Sequence, residues 1–168
     1  LENNIIKTLA ESGVKEVHVV SSCPQIRYVC PYGVEMARLK EFVAFRATVD
    51  LIKERGMQEK LDRLESAARE QQEKIEQDFA YVPERHLVQE LYALVSEEDI
   101  TSRIGKLITP ESFDIKVGLV YPTVNEFKEA KQGINMGMAC FDGNYPEVGG
   151  LRVSNKSLVD YFDNNDEK

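Results

Sequence analysis

The sequence predicts an α/β fold, with two or three strands and helices packed around them. Three observations carry this. A helical run ends at a glycine and leads at once into a β-branched run within the first 22 residues. A second apolar run of strand length lies at 115–121, followed by a helix-start signature. Between them lie long stretches of helical apolar spacing. Helix, glycine, then a short β-branched strand is the αβ half of a βαβ unit.

The elements follow in order. Ile5, Ile6, Leu9 and Ala10 recur at helical spacing, and Gly13 stands where a helix C-cap glycine belongs. The chain opens Leu1-Glu2-Asn3-Asn4 without a basic or apolar leader, so no signal peptide is expected. A start inside a helix points to a piece of something longer. Val17, Val19 and Val20 then predict a buried strand. From Ser22 to Gly33 two prolines and a glycine predict a loop at that strand's C-terminal end, the side on which open α/β sheets bind ligands.

Met36, Leu39, Phe42, Val43, Phe45, Val49 and Ile52 predict a helix over 36–55, ended by Gly56. A second helix is expected over 57–79, with Met57, Leu61, Leu64, Ala68, Ile75 and Phe79 forming a narrow stripe interrupted by polar Gln71 and Gln72. That stripe is expected to pack on a neighbouring domain or subunit. Leu87, Leu91 and Leu94 predict a helix after Pro83, and Ser96-Glu97-Glu98-Asp99 caps another that ends near Thr109-Pro110. The strand at 115–121 follows, and Thr123-Val124-Asn125-Glu126 opens a short helix as a capping box.

Composition narrows the function classes. The chain has 168 residues, the size of one ordinary domain, with 42% hydrophobic and 30% charged residues. With 21 Lys and Arg against 29 Asp and Glu, the formal charge is -8, which repels phosphate backbones and argues against nucleic-acid binding. No run of about 18 apolar residues suggests a membrane span. Three cysteines do not make a disulfide framework, so a reduced, cytoplasmic protein is expected. Residues 57–100 hold 12 acids and 5 bases, a net of -7, which leaves -1 for the remainder. A charge run is most often a solvated face, although it can dock a basic partner.

No visible catalytic set follows from these residues. Neither phosphate-binding glycine pattern, Gly-x-x-x-x-Gly-Lys or Gly-x-Gly-x-x-Gly, is present. His18 is expected to be a packed strand residue, and His86 a surface or helix-start residue. Cys23, Cys30 and Cys140 are expected to be free and buried, since the position three before Cys140 is Gly137 and no Cys-x-x-Cys pair forms there.

Two stretches carry a resemblance. Ser21-Ser22-Cys23-Pro24-Gln25-Ile26-Arg27, followed by Tyr32-Gly33-Val34-Glu35-Met36, is similar to the Ser-Ser-x-Pro-x-x-Arg and Tyr-Gly-Ile-Asp-Met segment of glutamine phosphoribosylpyrophosphate amidotransferases. Cys140-Phe141-Asp142-Gly143-Asn144-Tyr145-Pro146, with Gly149-Gly150-Leu151 after it, resembles that family's C-terminal signature. The helix ending at Gly13 and the Val-rich strand resemble the family's elements after its phosphoribosyl-binding loop. The likeness covers about the first 55 and the last 60 residues, leaving 57–100 as an acidic helical insertion in a single unit spanning 1–168.

The resemblance implies a fragment of a phosphoribosyltransferase-like sheet flanked by helices, from the C-terminal part of the enzyme. That enzyme makes phosphoribosylamine from phosphoribosylpyrophosphate and glutamine, the first committed step of purine synthesis. Its catalytic loop and glutaminase domain would lie upstream, so no catalytic, cofactor-binding or metal-binding residue is assigned here, and the fragment alone is expected to be inactive. Mg²⁺ is implied for the whole enzyme only. The implied partners are the remainder of the same enzyme and further copies of it, and the loop from Ser22 to Gly33 would lie near the phosphoribosyl site. Some members carry an iron–sulfur cluster; Cys30 and Cys140 fall at two of its ligand positions, but Gly137 replaces a third, so none is expected. The alternatives are a non-catalytic interaction or regulatory module using the acidic helices, and a metal-binding domain, which Gly137 weakens.

Overall fold

The structure, a computed structural model, describes residues 5–32, 36 and 38–163. Two strands, β1 (Glu16–Val20) and β2 (Lys116–Val120), pair in parallel, with His18 opposite Gly118. Parallel neighbours need a long crossover, and four of the eight α-helices of the described residues lie within it. The predicted α/β class is what the chain adopts.

Helix α1 (Lys7–Glu11) closes at Gly13, whose φ of 86° lets Val14 N–H reach back to the Leu9 carbonyl at 3.0 Å. The single helix expected over 36–55 divides. Leu39–Glu41 forms a 3-10 turn, Phe42 is extended at ψ 120°, and α2 runs Val43–Glu54. The break lets both Leu39 and Phe42 turn into the core, where they are 1% and 9% exposed. Within the latter half of the first resembling stretch, Gly33 to Glu35 fall outside the described residues.

Helix α3 (Gln58–Gln77) buries Leu61, Leu64 and Ala68, but against this chain's own α8 (Val148–Asp163). That corrects the expectation of a neighbouring domain or subunit under these residues. The polar interruption in the stripe also has an internal explanation. Gln71 is buried and its Oε1 accepts from Asn155 Nδ2 of α8 at 2.7 Å. Asp78 is extended and ends the helix, leaving Phe79 85% exposed rather than packed. The outer face holds intrahelical ion pairs, Arg63 with Glu59 and Lys74 with Glu70, which suits a face that meets water, while half-buried Arg69 pairs with Glu65 and reaches Asp163 of α8 at 2.7 Å.

Helices α4 (Leu87–Tyr92) and α5 (Glu97–Leu107) follow, the latter capped by Ser96 Oγ accepting from Asp99 N–H at 3.1 Å. Helix α6 (Val124–Ala130) carries the expected reciprocal capping box between Thr123 and Glu126. Short α7 (Ala139–Asp142) and the 16-residue α8 complete the fold. Neither is legible in the periodicity, because Gly149-Gly150 reads as a turn and Ser154 and Asn155 occupy buried positions of α8.

The core lies among the helices rather than beneath the sheet. Phe45, Ile52, Leu61, Leu91, Ile104 and Leu158 are all at most 1% exposed. Each such side chain contributes about 1.5–3 kcal/mol by leaving water. The strands differ from expectation here. Helix α5 covers one face of the sheet through β2, while Glu16, His18 and Val20 stand exposed on the other. Val20 is 72% exposed, so β1 is half-covered and not buried. His18 is likewise no packed residue: it lies over Gly118, and its Nε2 is 3.1 Å from Glu16. Among the described residues, no helix is long and apolar enough to cross a membrane.

Candidate functional site

Both strands end at one crevice. Ser21 follows β1 and Tyr121 follows β2, and their tie continues past the strands, Ser21 N–H donating to the Val120 carbonyl at 2.9 Å. Beyond them lies a cavity of about 450 Å³, walled by Cys23, Pro24 and Ile26 on the loop, by Phe42 and Ala44 at the start of α2, and by Ile104 of α5. A smaller polar recess of about 140 Å³ adjoins it, sharing Pro24, Gln25 and Tyr121 and adding Arg27, Glu97 and Thr123. Ligands of open α/β sheets sit at such carboxyl ends. Partial burial raises the Tyr121 phenol above its usual range, so it stays a neutral donor there.

The loop after β1 is held by a polar relay. Arg27 is mostly buried, its Nη1 donating to Glu97 Oε1 at 2.8 Å and its Nε to Gln25 Oε1 at 3.2 Å. Gln25 in turn donates to Thr101 Oγ1 at 2.7 Å. The guanidinium also lies 5.6 Å from the centre of the Tyr92 ring. Arg27 therefore ties the loop to α5 at two points, and the arginine of the first resembling stretch faces inward.

The two resembling stretches meet. The Cys140 carbonyl accepts from Arg27 N–H at 2.9 Å and from Tyr28 N–H at 3.1 Å. Tyr145 OH donates to the Val29 carbonyl at 2.8 Å. Asp142 anchors the other side, its carbonyl accepting from Gln89 Nε2 at 2.9 Å and its carboxylate pairing with Lys128 at 2.8 Å. Burial alone would raise the Asp142 carboxyl, but Lys128 and the Asn144 N–H outweigh it and hold the group below its usual value. Gly143 turns at φ 71°, and its missing side chain leaves room for His86, Gln89 and Tyr28.

His86 is a helix-start residue, as expected, but not a surface one. It caps α4, with Nδ1 accepting from Gln89 N–H at 3.3 Å. Nε2 is buried against Gly143, and Tyr28 and Tyr145 flank the ring at 5.3 and 5.8 Å between centroids. Burial pushes its pKa below the usual imidazole value, while Gly143 and Glu90 pull weakly the other way. The sign follows. Above the unfolded value of about 6.5 both states are neutral; as pH falls through it the unfolded chain takes the proton first, so stability drops until the folded pKa is passed. Urea midpoints measured from pH 7.5 to 5 should fall less steeply in His86→Asn, which keeps a capping acceptor and cannot charge. Equal slopes in the two proteins would exclude His86 as the source.

The cysteines are free but half-buried, not buried. Partial burial raises the Cys140 thiol above its ordinary value, which makes it a poor nucleophile. Among the described residues, no group of three or more His, Cys, Asp or Glu is placed to hold a metal ion.

No protein-family model and no solved structure matches the chain. Two curated proteins match part of it. Over 50 residues, 30% of this chain, it is 38% identical to the amidophosphoribosyltransferase of Pyrococcus horikoshii. Over 48 residues, 29% of this chain, it is 40% identical to the amidophosphoribosyltransferase of Methanocaldococcus jannaschii. The matched stretches span only 11% and 10% of those relatives' own lengths. Across that stretch, the chain is similar to amidophosphoribosyltransferases.

Proposed function

We propose that this chain forms part of the phosphoribosyltransferase domain of an amidophosphoribosyltransferase, and that the crevice at the ends of β1 and β2 borders its phosphoribosyl site. One observation carries the reading most. The Cys140 carbonyl joins the Arg27–Tyr28 backbone to the Cys140–Pro146 segment, so the two stretches that resemble the family, more than a hundred residues apart, build one wall beside the strand ends. Arg27 is a positioning residue in this reading, holding the loop through Gln25 and Glu97.

In this reading the chain supplies a wall of the site rather than its reaction centre. The carboxylates that would hold ribose hydroxyls and Mg²⁺, and the backbone cradle for the 5′-phosphate, would come from outside this chain. The 168 residues alone should therefore release no pyrophosphate from phosphoribosylpyrophosphate, glutamine and Mg²⁺; release above background sinks the inactivity claim. Disrupting the gene that encodes the chain should make its host require added purine. Undiminished growth without purine overturns the purine reading itself.

A further inference from the structure

We propose that the larger cavity at the strand ends binds a small uncharged ring compound that carries a hydrogen-bond acceptor. This does not depend on the enzymatic reading, because it follows from the walls alone. The floor is closed by buried apolar side chains: Phe42 is 9% exposed, and Ala44 and Ile104 are 1% exposed. Pro24, Ile26 and Met36 add further apolar surface. At about 450 Å³ the space lies within the range of small-molecule sites. Water against such walls makes few hydrogen bonds, so an apolar body displaces it with a gain.

The charge of the ligand is set by what the walls lack. Among the described residues, no Lys or Arg lines this cavity. Its one charged group, Glu41, is 54% exposed at the rim and pairs with Arg38 at 3.5 Å. In the adjoining recess, Arg27 is taken by Glu97 and Gln25. An anion entering the cavity would leave water with no unpaired cation to receive it. A cation would gain little from a solvated carboxylate that already has a partner. A neutral molecule meets neither cost.

The polar groups left over are donors. Tyr121 lines both the cavity and the recess, and its hydroxyl makes no hydrogen bond among the described residues. Partial burial keeps that hydroxyl protonated. Phe42 is the N-cap of α2 and offers no side-chain acceptor to the first-turn N–H groups, where Val43 and Ala44 border the cavity. Ser21 is already occupied, its Oγ donating to the Cys23 carbonyl at 2.8 Å and accepting from Cys23 N–H at 3.3 Å. Gln25 is likewise bound to Thr101 and Arg27. A ligand acceptor therefore finds unused donors, and the rings of Phe42 and Tyr121 favour a planar body.

Titration of the chain with coumarin, an uncharged planar bicycle with a carbonyl acceptor, tests this when followed by amide and methyl NMR signals. Naphthoate serves as an anion of similar size. The signals of Ala44, Ile104 and Tyr121 should shift saturably with coumarin, and naphthoate should bind at least about tenfold more weakly. Tyr121→Phe removes one donor and should weaken coumarin by about threefold to tenfold. Ala44→Leu fills the floor and should abolish the shifts. Ile26→Trp, at a wall position 38% exposed, narrows the cavity without entering the core and should weaken binding as well. The absence of saturable shifts at these residues overturns the proposal. So does naphthoate binding as tightly as coumarin, or coumarin binding unchanged in both filled variants. Unchanged affinity in Tyr121→Phe overturns the pairing of the acceptor with that hydroxyl.

Discussion

Asn155→Ala is expected to lower the unfolding free energy by about 3–5 kcal/mol, because it leaves several buried polar groups without partners. Asn155 is 2% exposed and serves three elements at once. Its Oδ1 accepts from Leu87 N–H at 3.0 Å, at the start of α4. Its Nδ2 donates to Gln71 Oε1 of α3 and to the Arg85 carbonyl, each at 2.7 Å. Truncation leaves the Leu87 donor and the Gln71 and Arg85 oxygens facing a void, and their desolvation is not recovered. Urea unfolding measures the loss. Asn155→Asp keeps the acceptor but removes both donors and buries a charge beside two oxygens, so it should be no better than alanine. A loss below about 1 kcal/mol in both variants would mean that the network is open to water.

The second large effect is expected at Gly150, where the sign is diagnostic. Within a helix, Gly→Ala normally stabilises by about 1 kcal/mol. Here an added Cβ would stand 2.5 Å from both Cβ and Cγ of Tyr145, the rigid base of that side chain and not its tip. Tyr145 cannot yield cheaply, since its hydroxyl is bonded to the Val29 carbonyl and its ring stacks on His86. The expected outcome is destabilisation by about 2–3 kcal/mol, as for an overpacked core site. The amide signals of Val29 and the ring signals of His86 should shift in the same variant. A stabilised Gly150→Ala would show that Tyr145 moves freely and does not brace the loop after β1.

These two positions mark where sequence reading reaches its limit. The caps at Ser96 and Thr123, the stop at Gly13, and the β-branched runs were legible because each rests on interactions within a few residues. The Gln71 interruption in the α3 stripe was visible but had no meaning without Asn155, 84 positions away. Helix α8 was hidden by its glycines, one of which faces Tyr145 at a distance where no side chain fits. The candidate site shows the same division. Its two stretches were recognisable as motifs, but their meeting through the Cys140 carbonyl was not.

What the sequence determined by itself is therefore the α/β class, most element starts and stops, and the absence of a phosphate-binding glycine pattern. These depend on local backbone preferences, on hydrogen bonds across one turn, and on periodicity along one element. Tertiary structure alone decided which faces are covered. It turned the α3 stripe onto α8, left Val20 and His18 in the open, and took His86 out of water. Burial is a property of the neighbours a residue meets, and those neighbours lie dozens of residues away along the chain.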